Sequence, residues 1–358
     1  MVGGRLPRDG APCYPKSDRR SKAQPSLPGS AVDPAAHGTP GRAGAPPPRL
    51  PDFIVAGALK AGTTSLYRYL AQHPQVFMSP IKEPTYFGAG DLMRWSWFRE
   101  RQERDREALA AYLAGPMRAP APLYVTEWED YVALFRDAGD ALAVGEASGG
   151  YLILPGAADA IRARLPEARL VFVLRDPADA LFSWYLLGLE QDPSPGAQPT
   201  FREWLEKIHD PGERGIGPLE TGRYATHLGR FFRAFPREQI RVYLYEELRA
   251  DAGRVLRDVF DFVGVDPGFC PDTSVRHQAT AVARWPWLRA VRRRLLGDRP
   301  APRWVPGPVR RGLGRLYRRD RRTLAMDPAD RRIAVACYRE EILATGELLD
   351  RNLSAWLA

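Results

Sequence analysis

Cysteine is scarce in this chain. Only Cys13, Cys270 and Cys337 occur among 358 residues. Three thiols so widely spaced make neither a disulfide framework nor a zinc site, because both need paired or clustered cysteines. A reducing compartment is the expectation. Long apolar runs are missing as well. No stretch approaches the about 18 consecutive apolar residues of a membrane-spanning helix, so no transmembrane segment is expected. The arginines near the start are not followed by an apolar core, which argues against a secretory signal. These absences together point to a cytoplasmic chain. Large apolar residues are nearly absent before Pro51, where Pro, Gly, Ala, Ser and Arg dominate. Such a segment cannot bury enough surface to offset its ordering entropy. Residues 1–50 are therefore expected to be a disordered tail, and residues 51–358 to fold. The net charge of +9 favours anionic ligands or surfaces.

The chain is organised around Pro51–Phe87. A short apolar run, Phe53-Ile54-Val55-Ala56, leads into Gly57-Ala58-Leu59-Lys60-Ala61-Gly62-Thr63-Thr64. A helical pattern follows, with Leu66, Tyr69 and Leu70 on one face. Strand, glycine loop and helix start bind phosphate, because loop amides and the helix N-terminus converge on one anion. The loop departs from the G-x-x-x-x-G-K-[ST] pattern. Thr63 stands where the lysine of an NTPase should be, and the lysine has moved forward to Lys60.

Further strands are expected at Gln75–Met78, Ala141–Val144, Leu170–Leu174 and Gln239–Tyr245. Leu170–Leu174 is the strongest, being apolar throughout. It ends in Arg175-Asp176-Pro177, and a helix follows that carries Ser183 about two turns in. Arg offers a planar fork for phosphate; Asp176 could instead cap the helix. Gly145–Tyr151 contains two glycines that permit close ligand approach, while Tyr151 reads equally as packing. Asp91–Tyr131 scatters aromatics among charges, and Glu190–Thr221 reads as loop. Gly222–His227 starts another helix, on which His227 is a candidate for substrate positioning or proton transfer. The predicted fold is α/β, P-loop-like and three-layered, with a central mainly parallel sheet flanked by helices.

Several motifs together resemble the sulfotransferases that use 3′-phosphoadenosine 5′-phosphosulfate (PAPS). They are K-x-G-T-T-S-L at Lys60–Leu66, His73-Pro74, K-E-P-x-Y-F at Lys82–Phe87, Arg175-Asp176-Pro177 with Ser183-Trp184-Tyr185, and G-x-Y-A-x-H at Gly222–His227. The last is similar to a segment of the heparan sulfate N- and O-sulfotransferases. The resemblance runs from about Pro51 to Trp356, and the ending is similar to bacterial members. It implies sulfuryl transfer to a hydroxyl or amine, with release of adenosine 3′,5′-bisphosphate (PAP) and no metal. It implies that Lys60 stabilises the leaving phosphate and that Glu83 is the general base. It implies that Ala61, Gly62, Thr63, Thr64 and Ser65 cradle the 5′-phosphate, and that Arg175 and Ser183 hold the 3′-phosphate.

The resemblance also places a basic lid at about 276–325. The animal enzymes carry Lys-Gly-Arg there; this chain offers Arg284 for closing the site. The acceptor is expected to be a small molecule or a glycan, with no specific nucleic acid partner. Oligomeric state is not readable. Two other classes stay open: a P-loop kinase or NTPase with Asp176 as its metal-holding carboxylate, and a non-catalytic binding protein using the arginine-rich stretch 289–322.

Overall fold

The computed structural model describes residues 49–117, 123–191, 199–208, 216–274, 282–283, 318–319 and 325–358. The tail expected over 1–50 lies outside them apart from its last two residues. Most of the basic stretch 276–325, including Arg284, lies outside them too.

Five strands form one sheet in the order β2-β3-β1-β4-β5. They are β1 Phe53–Gly57, β2 Val76–Met78, β3 Ala143–Ala147, β4 Arg169–Leu174 and β5 Ile240–Leu244. Every pairing in it is parallel. All five residues of β1 and of β3 are buried. Successive side chains of a strand point to opposite faces, so both faces of the sheet are covered. That is the expected α/β architecture, and the reason is the apolar continuity of the central strands. At the middle of the sheet Phe53 sits opposite Gly145. A Cβ on Gly145 would lie 2.2 Å from Phe53 Cζ, so only glycine admits the ring there.

The helices are α1 Thr63–Leu70, α2 Ala89–Leu92, α3 Ser96–Ala114, α4 Trp128–Ala133, α5 Ala157–Arg164, α6 Pro177–Gln191, α7 Phe201–Ile208, α8 Tyr224–Ala234, α9 Tyr245–Ala250, α10 Ala252–Val263 and α11 Pro328–Leu349. Helix α11 packs on α6 and α8, which ties the C-terminal region to the middle of the chain. No helix among the described residues is long and apolar enough to cross a membrane. Cys337 on α11 is disulfide-bonded, so the three cysteines are not all free thiols as expected.

Two segments carry helices that the sequence reading did not place. Asp91–Tyr131 is dominated by the 19-residue α3, whose buried residues are only Phe98, Leu109 and Leu113. Glu190–Thr221 is not all loop. Phe201–Ile208 is a helix that buries Phe201 and Leu205. Its start is a reciprocal cap: the Glu203 N–H donates to Thr200 Oγ1 at 3.3 Å, and the Thr200 N–H donates to Glu203 Oε2 at 2.7 Å.

Candidate active site

Parallel strands end along one common edge, and α/β proteins bind ligands there. At that edge β1 opens into the 58–62 loop, β4 ends at Arg175, β5 meets Tyr245, and β3 runs into Ser148–Tyr151. Helix α1 begins there with no side-chain cap on its N-terminus. An uncapped helix start carries partial positive charge and favours an anion. Ala61 and Thr63 are buried at this point, while Gly62, Thr64 and Ser65 are half-buried.

The loop is held by its neighbours. The Ala58 N–H donates to the Val173 carbonyl at 2.8 Å, which fastens the loop to β4. Gly62 has φ 91°, a left-handed conformation, and an added Cβ would meet Tyr245 Cε2 at 3.0 Å. Lys60 also lies in the left-handed region, at φ 65°.

Arg175 crosses from β4 to the loop. Its Nη1 donates to the Lys60 carbonyl at 3.4 Å, and its Nη2 lies 3.4 Å from Asp179 Oδ2. Its guanidinium sits 5.0 Å from the Tyr245 ring centroid. Asp176 caps α6: the Ala178 N–H donates to Oδ1 at 2.9 Å. Its other oxygen accepts from Arg331 Nη2 of α11 at 2.5 Å. The capping reading of Asp176 therefore holds. Burial pushes its pKa up, opposed by the Arg331 hydrogen bond.

Among the described residues, four buried side-chain polar atoms have no hydrogen-bond partner: Arg230 Nε, and Arg175 Nε, Ser183 Oγ and Trp184 Nε1, of whose residues Arg175 and Trp184 both approach Lys60. Buried donors left unmade are costly and rare. The grouping of the last three beside the loop suits an anionic group with several oxygens. The strand Val282–Ala283 pairs antiparallel with Arg318–Arg319 and runs alongside α6, the helix that carries Ser183 and Trp184.

Glu83 lies past β2, ion-paired with Lys82. Its turn is unusual. Glu83 and Thr85 both have φ 63°, on either side of Pro84. The Glu83 N–H donates to the Ala147 carbonyl at 2.9 Å, which places this turn at the end of β3. Tyr124 and Glu146 both feel the Glu83 charge.

Sequence reasoning met Glu146 only as part of the Gly145–Tyr151 stretch and gave it no role. It is fully buried inside β3, a strand expected to stop at Val144. Burial raises its pKa to about 7, against hydrogen bonds from Ser148, Tyr151 and Tyr131 that lower it. A carboxylate in the apolar run Ala143–Ala147 was the available signal. Tyr151 is fully buried among these groups, and its hydroxyl donates to Glu146 Oε1 at 2.9 Å.

His227 is 4% exposed, and both of its ring nitrogens are occupied. Nε2–H donates to the Glu220 carbonyl at 2.7 Å, and Nδ1 accepts from Arg230 Nη2 at 2.8 Å. Burial, then the Arg230 charge, lowers its pKa to about 4. A ring so held is neutral near pH 7 and has no nitrogen free to exchange a proton with substrate.

Residues 51–267 match the sequence model of the Sulfotransferase family. The chain belongs to the sulfotransferase family. A sulfotransferase from Alicyclobacillus acidocaldarius has a similar structure, with TM-score 0.60 and 28% identity over 87% of this chain and 100% of that one. The chain is 27% identical over 235 residues to the human bifunctional heparan sulfate N-deacetylase/N-sulfotransferase 3, a match that covers 62% of the chain. It is 26% identical over 308 residues to the human heparan sulfate glucosamine 3-O-sulfotransferase 6, covering 82% of the chain and 76% of that protein. The match covers only 23% of the length of the bifunctional relative.

Proposed function

We propose that this chain transfers a sulfuryl group from PAPS to a hydroxyl or amine of a glycan acceptor. The observation that carries the donor side is the group of unpartnered buried atoms, Arg175 Nε, Ser183 Oγ and Trp184 Nε1, beside the Lys60 loop. These residues fit a nucleotide with two phosphate ends. Arg175 and Ser183 would hold the 3′-phosphate. The amides and hydroxyls of Ala61–Ser65 would hold the 5′ end at the start of α1. PAPS supplies the sulfuryl group and leaves as PAP. Lys60 stabilises negative charge at the phosphate end of the loop. Glu83 accepts the proton of the attacking hydroxyl or amine. His227 is a scaffold residue in this scheme, because both of its nitrogens are engaged. The glycan class rests on what the relatives' names say those proteins act on.

The kinase reading is disfavoured by Asp176. Its oxygens serve the α6 cap and Arg331, so it is not disposed to hold a metal. The test is calorimetric titration with PAP in EDTA and again with Mg²⁺, with ATP as control. Metal-independent PAP binding and much weaker ATP binding are expected; ATP binding that demands Mg²⁺, with none for PAP, overturns the reading. Transfer from labelled PAPS to an N-deacetylated heparosan, a neutral glycan and a simple phenol then decides the acceptor class.

A further inference from the structure

The turn that carries Glu83 is held by amides, and those amides are held by hydroxyls whose protons have somewhere specific to go. The Thr85 N–H donates to Ser148 Oγ at 3.2 Å. The Phe87 N–H donates to the Tyr151 hydroxyl oxygen at 3.4 Å. A hydroxyl that accepts from an amide must direct its own proton elsewhere. Both send it to the same carboxyl group. Ser148 donates to Glu146 Oε2 at 2.8 Å, and Tyr151 donates to Glu146 Oε1 at 2.9 Å. Tyr131 donates to that second oxygen as well, at 3.0 Å.

A carboxyl oxygen that accepts a hydrogen bond sets the direction of the hydroxyl pointed at it, and both oxygens of Glu146 accept. The surroundings keep these hydroxyls in place. Tyr131 stacks on Tyr86 at 4.9 Å between centroids and meets Phe87 edge-on at 5.2 Å. Phe87 meets Tyr151 edge-on at 5.9 Å. Ser148, Tyr131 and Tyr151 donate to Glu146, and Glu83, ion-paired to Lys82, is the charge that bears on it.

We propose that Glu146 is a positioning residue for the transfer reaction: by fixing the Ser148 and Tyr151 hydroxyls as acceptors for the Thr85 and Phe87 amides, it holds the strained 83–85 turn so that the Glu83 carboxylate is presented to the acceptor. The proposal rests on the reading of Glu83 as the general base. Glu146 itself touches neither donor nor acceptor. Its effect therefore falls on turnover and on the turn, and spares the PAP site.

Glu146→Gln and Ser148→Ala test this, with Glu83→Gln as the reference. Glutamine puts an N–H₂ where an oxygen accepted, so at least one hydroxyl must reverse. Hydrogen exchange is followed by mass spectrometry in peptides spanning 83–88 and 57–66, PAP affinity by calorimetry, and kcat and KM on the best acceptor of the panel above. In both variants the 83–88 amides should exchange about tenfold faster, with 57–66 unchanged and PAP affinity within about twofold. kcat should fall about ten- to a hundredfold with little change in the KM for PAPS. Unchanged exchange at 83–88 overturns the proposal. So does loss of protection in both peptides together with PAP binding, since that marks Glu146 as a general core residue. Wild-type turnover in Glu83→Gln overturns the base reading instead, and leaves the exchange result to judge the hydroxyl arrangement by itself.

Discussion

Arg331 ties the C-terminal helix to the donor edge through Asp176, at 2.5 Å between Nη2 and Oδ2. The same guanidinium reaches Asp179 Oδ1 at 3.1 Å and the Ala358 carbonyl at 2.7 Å. Asp179 in turn pairs with Arg175. One arginine on α11 thus steadies both carboxylates that flank the predicted phosphate-binding arginine. Truncating it strands the buried carboxylate of Asp176. Arg331→Ala should cost about 1.5–3 kcal/mol, the range for a lost hydrogen bond to a charged group. Thermal unfolding with and without PAP checks this, and an unchanged midpoint would count against the coupling.

Ser183→Ala should separate binding from stability. The serine hydroxyl is buried and unpartnered, so removing it relieves a desolvation cost. The free protein should be as stable as wild type or slightly more so, while PAP affinity falls about tenfold, or ~1.4 kcal/mol. A stability loss with unchanged PAP affinity would place Ser183 outside the donor site.

Lys60→Ala should lower kcat at least about a hundredfold, as expected for losing one donor to developing charge. Its ammonium stands 5.5 Å from the centroid of Trp184, so the ring is expected to relax and indole fluorescence to shift. Near-wild-type turnover would remove Lys60 from the chemistry.

Glu146 gives a stability signature of definite sign. Its pKa is raised to about 7 in the fold against an ordinary 4.5. Between those values the folded state holds the extra proton, so its contribution is full below about 4.5 and is lost as pH rises through about 7. The melting temperature of wild type relative to Glu146→Gln should therefore decline across that window and level off above it.

His227 behaves oppositely. Its pKa falls from 6.5 to about 4, so the unfolded state takes the proton first. Its contribution is present above about 6.5 and is lost as pH falls through about 4. His227→Gln should flatten that acid limb while kcat at pH 7 stays close to wild type. A large loss of kcat in a well-folded His227→Gln protein would return this residue to the chemistry.

How much of this was legible follows from what each residue reports about itself. Phe53–Ala56 and Leu170–Leu174 are apolar runs followed by glycine or arginine, and their shortness together with their β-branched and aromatic residues marks them as buried strands. A loop pattern and a strand end fixed where Lys60, Arg175 and Ser183 would lie, and they stand after β1, after β4 and on α6. Helix α3 was not, because three buried residues among 19 leave no apolar period to read. Helix α7 carried a readable signal in Thr200-x-x-Glu203, hidden among prolines and glycines. The surroundings of Glu146 and His227 were not legible, for a common reason. Their roles depend on partners distant in the chain, Tyr131 for one and Glu220 and Arg230 for the other, and periodicity along the chain carries no record of them.

The position of β1 has a bearing on how the chain is made. A ribosome delivers β1 ahead of every other strand of the sheet, yet it lies at the middle, between β3 and β4. Until residues 143–147 and 169–174 have emerged, both of its edges lack their final partners. An apolar strand in that state invites pairing with other nascent chains. The glycine loop waits longer still, since the Ala58 amide is fastened only when Val173 arrives. The loop is thus fastened to the sheet only midway through synthesis, and chaperone dependence should concentrate in the interval before it.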